Sequence, residues 1–147
     1  MPVATIDTPH TSRARLWIAR ILGGLATLFM LFDSIFKLFQ PPAVTESMLV
    51  LGYPVDLAVP IGALALACTL LYAYPRTTFL GAVLLTGYLG GAVATHLRVG
   101  NPLFSHILFP TYIGLLLWLP LFLMDRRVRA LLQLRRATGS QPQPYAS

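Results

Sequence analysis

The chain has 147 residues, of which 56% are hydrophobic and only 11% are Asp, Glu, Lys or Arg. An average soluble domain is about 45–50% apolar and about 25% charged, so this composition excludes a water-soluble globule and a disordered chain. The formal net charge is +6, but the basic residues flank apolar runs. We interpret them as membrane-flanking charge and expect no nucleic-acid partner. The mean hydropathy of +0.69 predicts an integral membrane protein embedded in a lipid bilayer.

Four apolar stretches follow one another along the chain. A helix needs about 20 apolar residues to cross the hydrocarbon core of about 30 Å. The four stretches cover about residues 16–39, 55–74, 78–97 and 105–124. Segments that contain Pro and Gly separate them. The sequence therefore predicts an all-α fold, a bundle of four transmembrane helices that forms one domain over residues 16–125.

The connection between the first two spans carries a further helical pattern. Two prolines at 41 and 42 are followed by Val44, Met48 and Leu51 at near-helical spacing, and then by Gly52 as a stop signal. This pattern predicts a short interfacial helix between the first two transmembrane helices.

The two ends of the chain differ from the apolar middle. Residues 1–15 are predicted to form a disordered N-terminal tail, and residues 126–147 a basic and then disordered C-terminal tail. Arg and Lys are concentrated in both tails and at the turn around Arg76, whereas the other connections hold few. Because basic loops stay in the cytoplasm, both termini are predicted to be cytoplasmic.

Ionisable residues inside apolar spans cost about 2.5–3.5 kcal/mol each and need an explanation. Asp33 precedes Lys37 by four residues, the favoured order for an ion pair on one helix face. In the predicted topology His96, Arg98 and His106 lie at the same outward-facing level of the membrane as Asp33 and Lys37. Tyr88 shares one helix face with His96. We expect Asp33, Lys37 and His96 to form one coupled polar site. The candidate ligand or polar-site residues are Asp33, Lys37, Tyr88, His96, Arg98 and His106. The alternative is a structural ion pair, with the histidines at the membrane interface.

Cofactor motifs are not evident in this sequence. Cys68 is the single cysteine, which excludes an internal disulfide and a Cys-x-x-Cys redox centre. Haem ligation by His96 and His106 is not favoured, and zinc ligation by these histidines with Asp33 is no better supported. We assign no catalytic residue and no metal ligand. A quinone remains open as a ligand.

Small residues on the third span predict a close helix contact. Gly87 and Gly91 follow at a four-residue step on one face, a spacing that lets helix backbones approach in lipid. The sequence leaves open whether this contact lies inside the bundle or joins copies in a homo-oligomer.

The third and fourth spans contain the segment GAVLLTGYLGGAVATH at 81–96 and PLFSH at 102–106, and the first half contains DSIFKL at 33–38 and LGYP at 51–54. With these segments, residues 20–130 or so resemble the DoxX-like family of small four-helix membrane proteins. The resemblance implies a link to small subunits of a membrane thiosulfate:quinone oxidoreductase and to membrane partners of soluble redox enzymes. By matching position it nominates Lys37, His96 and His106, without assigning them a role.

Two classes of function follow from these observations. The leading hypothesis is a bacterial inner-membrane accessory subunit that binds quinone or another small molecule and works with a redox protein partner. The chain is then one subunit of a membrane oxidoreductase complex, with no activity expected from it alone. The alternatives are a small transporter or channel-like protein, and a purely structural membrane scaffold.

Overall fold

The computed structural model describes residues 13–124 and Val128. The two predicted tails lie outside the described residues, except that residues 13–15 begin the first helix instead of ending a tail. The described segment from 13 to 124 contains helices α1 (Arg13–Phe39), α2 (Pro42–Val50), α3 (Ala58–Ala73), α4 (Thr78–Arg98) and α5 (Phe109–Met124). A 3₁₀ turn, Val55–Leu57, leads into α3, and a π-helical turn, Leu103–Ile107, precedes α5.

In the part of the chain that the structure describes, four segments are long and apolar enough to cross a membrane: Arg13–Phe39, Val55–Ala73, Thr78–Arg98 and Leu103–Met124. This confirms the predicted all-α fold with four membrane spans, and α2 confirms the short helix between the first two. The first helix starts earlier than predicted, at Arg13, because charged residues at a helix end continue the helix into the interface. The fourth span also starts earlier, at Leu103, because the π-helical turn extends it.

The four long helices form a closed bundle. Helix α1 packs against α3 and α5, and α4 packs against the same two helices. Helices α1 and α4 therefore stand at opposite corners, and the core between the four contains the fully buried Met30, Leu85 and Leu117. Cys68 is buried in this core, as expected for a small packing residue.

Close backbone contact occurs where glycines face a neighbouring helix. At Gly81 a Cβ atom would overlap the backbone of Tyr72, so only glycine fits where α4 leaves its short turn from α3. At Gly87 and Gly91, by contrast, a Cβ would meet nothing within 4 Å. The predicted small-residue stripe thus faces away from the bundle, because spacing along a helix identifies a face without identifying its direction. A contact between copies through Gly87 and Gly91 stays a prediction.

Hydroxyl groups inside the spans donate hydrogen bonds to backbone carbonyls of the protein. They need these partners because hydrocarbon offers no hydrogen-bond acceptor. The fully buried Ser34 donates to the carbonyl of Met30 at 2.6 Å. Between helices, the buried hydroxyl of Tyr72 donates to the carbonyl of Leu117 at 2.8 Å. This bond joins α3 to α5 across a diagonal of the bundle.

Candidate functional site

The antiparallel packing brings the C-terminal ends of α1 and α4 beside the N-terminal ends of α3 and α5. We call this the Asp33 end of the bundle, and the opposite end, where α3 turns into α4, the Arg76 end. The candidate residues Asp33, Lys37, Tyr88, His96, Arg98 and His106 lie in the half of the bundle that ends there, with Tyr88 nearest its middle. They form three separate groups.

The first group consists of Asp33, Lys37 and Tyr88. The Lys37 ammonium donates to Asp33 Oδ1 at 2.5 Å, and the Tyr88 hydroxyl donates to Asp33 Oδ2 at 3.4 Å. The side chains of Lys37 and Asp33 are only 22% and 31% exposed. Both carboxylate oxygens therefore have a donor, and Tyr88 links α4 to α1 across the other diagonal.

Helix α3 holds the stem of Lys37 in place. A Cβ added at Gly62 would stand 2.8 Å from the Cβ of Lys37 and 3.0 Å from the carbonyl oxygen of Ser34. The absence of a side chain at 62 therefore lets α1 and α3 approach closely at this level. With its stem against α3, Lys37 returns its ammonium along α1 to Asp33.

This first group offers hydrogen-bond donors in a largely apolar setting. One cation and one carboxylate neutralise each other, which lowers the cost of placing them inside a span. An ammonium has three hydrogens, so Lys37 keeps two beyond the one given to Asp33. The group is chemically suited to donate hydrogen bonds to a carbonyl or oxyanion, and to exchange a proton with it.

The second group begins at the end of α4. Gly100 has a φ of 72°, which glycine adopts without strain. The Gly100 amide donates to the Leu97 carbonyl, and the Asn101 amide to the His96 carbonyl, each at 3.1 Å. This is a Schellman turn, and it folds Asn101 back onto His96.

The two histidines are brought together by the turns that flank them. Asn101 Nδ2 lies 2.8 Å from Nδ1 of His96, and Ser105 Oγ lies 2.8 Å from Nδ1 of His106. The two imidazole rings have centroids 5.8 Å apart and are inclined at 63°. Sequence reasoning missed Asn101 and Ser105, although the Gly100-Asn101 pair after a helix end was a signal for the first.

Arg98 forms the third group, on another side of α4. Its guanidinium donates to the carbonyl of Leu51 at 2.5 Å and lies over the ring of Tyr53, 5.3 Å from the centroid. The Tyr53 hydroxyl lies 3.0 Å from Thr95 Oγ1. These contacts attach the segment after α2 to α4, so the role of Arg98 is structural.

The separation of the first two groups revises the expected single site. Tyr88 and His96 are eight residues apart on α4, a rise of about 12 Å. Asp33 bonds to Tyr88, whereas the ring of His96 bonds to Asn101. The polar partner of the Asp33–Lys37 pair on α4 is therefore Tyr88. Within residues 13–124, no group of three or more His, Cys, Asp or Glu side chains is arranged to hold a metal ion.

Comparison with known proteins agrees with this architecture. A model of the DoxX-like family matches residues 21–119. The chain belongs to the DoxX-like family. The match extends from the first half of α1 into α5, so it includes all the candidate residues of this DoxX-like protein. No curated protein and no solved structure matches the chain.

Proposed function

We propose that this DoxX-like protein binds a quinone, or a similar small carbonyl compound, at the group of Asp33, Lys37 and Tyr88. In this proposal it serves as an accessory membrane subunit of a redox enzyme. The observation that carries the proposal is the hydrogen bond of Tyr88 to Asp33, which places a phenol, an ammonium and a carboxylate together among apolar helices. Structural ion pairs need only the two charged groups, and the phenol adds a proton donor from a second helix.

The chemistry of a quinone matches this set of groups. Its ring and tail are apolar and suit the surrounding helices, and its carbonyl oxygens accept hydrogen bonds, which the free hydrogens of Lys37 can donate. Reduction to the quinol takes up two electrons and two protons. In the proposal the partner enzyme supplies the electrons, while Lys37 and Tyr88 relay protons to the quinone oxygens. The chain alone then has no turnover, since it has no electron source of its own in this scheme.

The alternatives receive less support from the described residues. A channel or transporter needs polar groups along its path, whereas the core beyond the first group is mainly apolar. The buried hydroxyls of Thr69 and Tyr72 in this part are bonded to backbone carbonyls. A purely structural scaffold accounts for the Asp33–Lys37 pair and for the link that Tyr88 makes between α4 and α1, and it predicts that no quinone is bound. Measurement of the quinone that co-purifies with the protein distinguishes the quinone-binding subunit from these alternatives.

The test is to purify the full-length protein in mild detergent and to quantify co-purifying quinones by mass spectrometry. In the proposal the Tyr88 hydroxyl turns its single hydrogen from Asp33 to a quinone oxygen when quinone binds. Tyr88→Phe removes this donor, and Tyr72→Phe is the matched control, because it removes a buried hydroxyl bonded elsewhere. We expect Tyr88→Phe to lower bound quinone about tenfold, the loss that corresponds to one buried hydrogen bond of about 1.4 kcal/mol. Tyr72→Phe should retain quinone. Absence of quinone from the wild type, or equal loss in both variants, would refute the proposal.

We propose a bacterial inner membrane with both termini in the cytoplasm as the location. The support is the distribution of Arg and Lys together with family membership. A reporter active only outside the cytoplasm should be inactive when fused after Arg136 and active when inserted near Glu46. The opposite result would place the Asp33 end of the bundle on the cytoplasmic side.

A further inference from the structure

A groove of about 480 Å³ runs along the outside of the bundle between α4 and α5. Its lining residues are Thr86, Leu89, Gly90, Val93, Pro110, Thr111, Gly114, Leu115, Trp118 and Phe122. Most of these are apolar, and the indole N–H of Trp118 is already taken up by Thr86 Oγ1 at 2.8 Å. Because both helices are membrane spans, the groove opens into hydrocarbon, and it suits an alkyl chain.

The groove crosses the middle of the membrane. On α5 its lining extends from Pro110 to Phe122, a rise of about 18 Å, and half of the hydrocarbon core is about 15 Å. Because the fourth span is Leu103–Met124, Pro110 lies on the Asp33 side of its middle and Phe122 lies near the Arg76 end. An acyl chain that enters at the Asp33 end therefore lies in the first part of the groove, and the remainder of the groove extends into the other leaflet.

The histidine pair lies about one helical turn beyond Val93 and Pro110, the lining residues nearest the Asp33 end, and we call this end the mouth of the groove. His96 lies seven residues, about two turns, beyond Leu89 on the same face of α4, and His106 lies one turn before Pro110. Their rings, with centroids 5.8 Å apart, join the two walls. The end of the groove is thus polar, whereas its length is apolar.

The pair is suited to a negatively charged group. The amide nitrogen of Asn101 is a donor only, so its contact with Nδ1 of His96 leaves the ring hydrogen of a neutral His96 on Nε2. Nε2 is then a donor. The π-helical turn Leu103–Ile107, which carries His106, contains no acidic residue. The mouth is therefore complementary to a phosphate.

We propose that the α4/α5 groove and the histidine pair bind one anionic phospholipid. Its phosphate is hydrogen-bonded by His96 and His106, and one acyl chain lies along the groove. The site is separate from the Asp33, Lys37 and Tyr88 group, which joins α4 to α1, so loss of quinone binding leaves this proposal standing.

The first test blocks the groove. Full-length protein in detergent micelles is titrated with dioleoylphosphatidylglycerol, and bound lipid is counted by native mass spectrometry. Gly90→Leu fills the groove, and Gly87→Leu is the matched control on the same helix outside its lining; a Cβ meets nothing within 4 Å at either position. We expect affinity to fall about tenfold in Gly90→Leu, the equivalent of 1.4 kcal/mol, and to change less than about twofold in Gly87→Leu. Equal effects in the two variants would overturn the proposal.

The second test examines the headgroup. Dioleoylglycerol, which has the same acyl chains but no phosphate, and inorganic phosphate are compared with the phosphatidylglycerol. Wild-type protein should prefer phosphatidylglycerol about tenfold over dioleoylglycerol, the difference expected for one or two charge-assisted hydrogen bonds to the phosphate. The double variant His96→Ala/His106→Ala should lose this preference. A preference unchanged in the double variant, or binding of inorganic phosphate as tight as that of the lipid, would overturn the proposal.

Discussion

Replacing Lys37 by methionine should destabilise the bundle, because the Asp33 carboxylate loses its cationic partner. Methionine keeps the stem that packs against Gly62, but it removes the ammonium that bonds Asp33 at 2.5 Å. An unpaired charge at the centre of a span costs about 2.5–3.5 kcal/mol. Asp33 keeps 31% of its side chain exposed and retains the Tyr88 hydroxyl, so we expect a loss of about 2 kcal/mol.

The double variant Asp33→Asn/Lys37→Met should recover part of this loss. It removes both charges, and asparagine keeps an oxygen that accepts the Tyr88 hydroxyl. Asp33→Asn alone should cost about 1 kcal/mol, because Lys37 lies near the end of α1 and its ammonium can reach the interface. If the double variant loses about 1 kcal/mol, the coupling energy of the pair is about 2 kcal/mol, within the range for residues in contact.

The free energy of unfolding can be measured by circular dichroism in dodecylmaltoside micelles titrated with dodecyl sulfate. Glu46→Gln, an acid-to-amide change at an exposed residue of α2, should change stability by less than about 0.5 kcal/mol. A double variant as unstable as the sum of the two single variants would show that the two charges are independent, and would contradict the proposed coupling.

Three further changes test the packing of the bundle. Gly81→Ala places a methyl group on the backbone of Tyr72 and should lower the free energy of unfolding by about 3 kcal/mol or prevent folding. Gly24→Ala is the control, since the space around its Cβ is open, and it should leave the detergent-extracted yield and the melting temperature unchanged. Tyr72→Phe removes the bond to the Leu117 carbonyl and should lower the free energy of unfolding by about 1 kcal/mol in the same micelle titration. Arg98→Ala removes the contacts with Leu51 and Tyr53 that hold the segment after α2. The amide hydrogens of α2 should then exchange faster, while those of α3 keep their rate. Equal exchange rates in α2 before and after the change would show that these contacts are dispensable.

Helix number and length were predictable because the bilayer imposes them. A span must be apolar for about 20 residues, and prolines and glycines interrupt the pattern between spans. The same local rules predicted the short helix α2 from residues 42–50. Helix ends were less accurate, since Arg13 and the π-helical turn at Leu103 extend two spans beyond their apolar cores.

The contacts between helices were decided by the tertiary structure. The order of neighbours around the bundle determines that α1 faces α4 across a diagonal, and hence that Tyr88, rather than His96, bonds to Asp33. Neighbour order does not follow from local spacing.

The membrane environment, the four spans, the short helix and the Asp33–Lys37 pair were predictable from the sequence, because each depends on residues close together in the chain. The packing of the helices turns the face of Gly87 and Gly91 outward and places Gly62 and Gly81 at the close contacts. It also created the α4/α5 groove, with His106 beside the histidine of α4 at its mouth. These features depend on how each helix is rotated about its own axis. Because lipid is as apolar as most of the helix surface, hydrophobicity does not specify which face turns inward, and the packing between helices selects it.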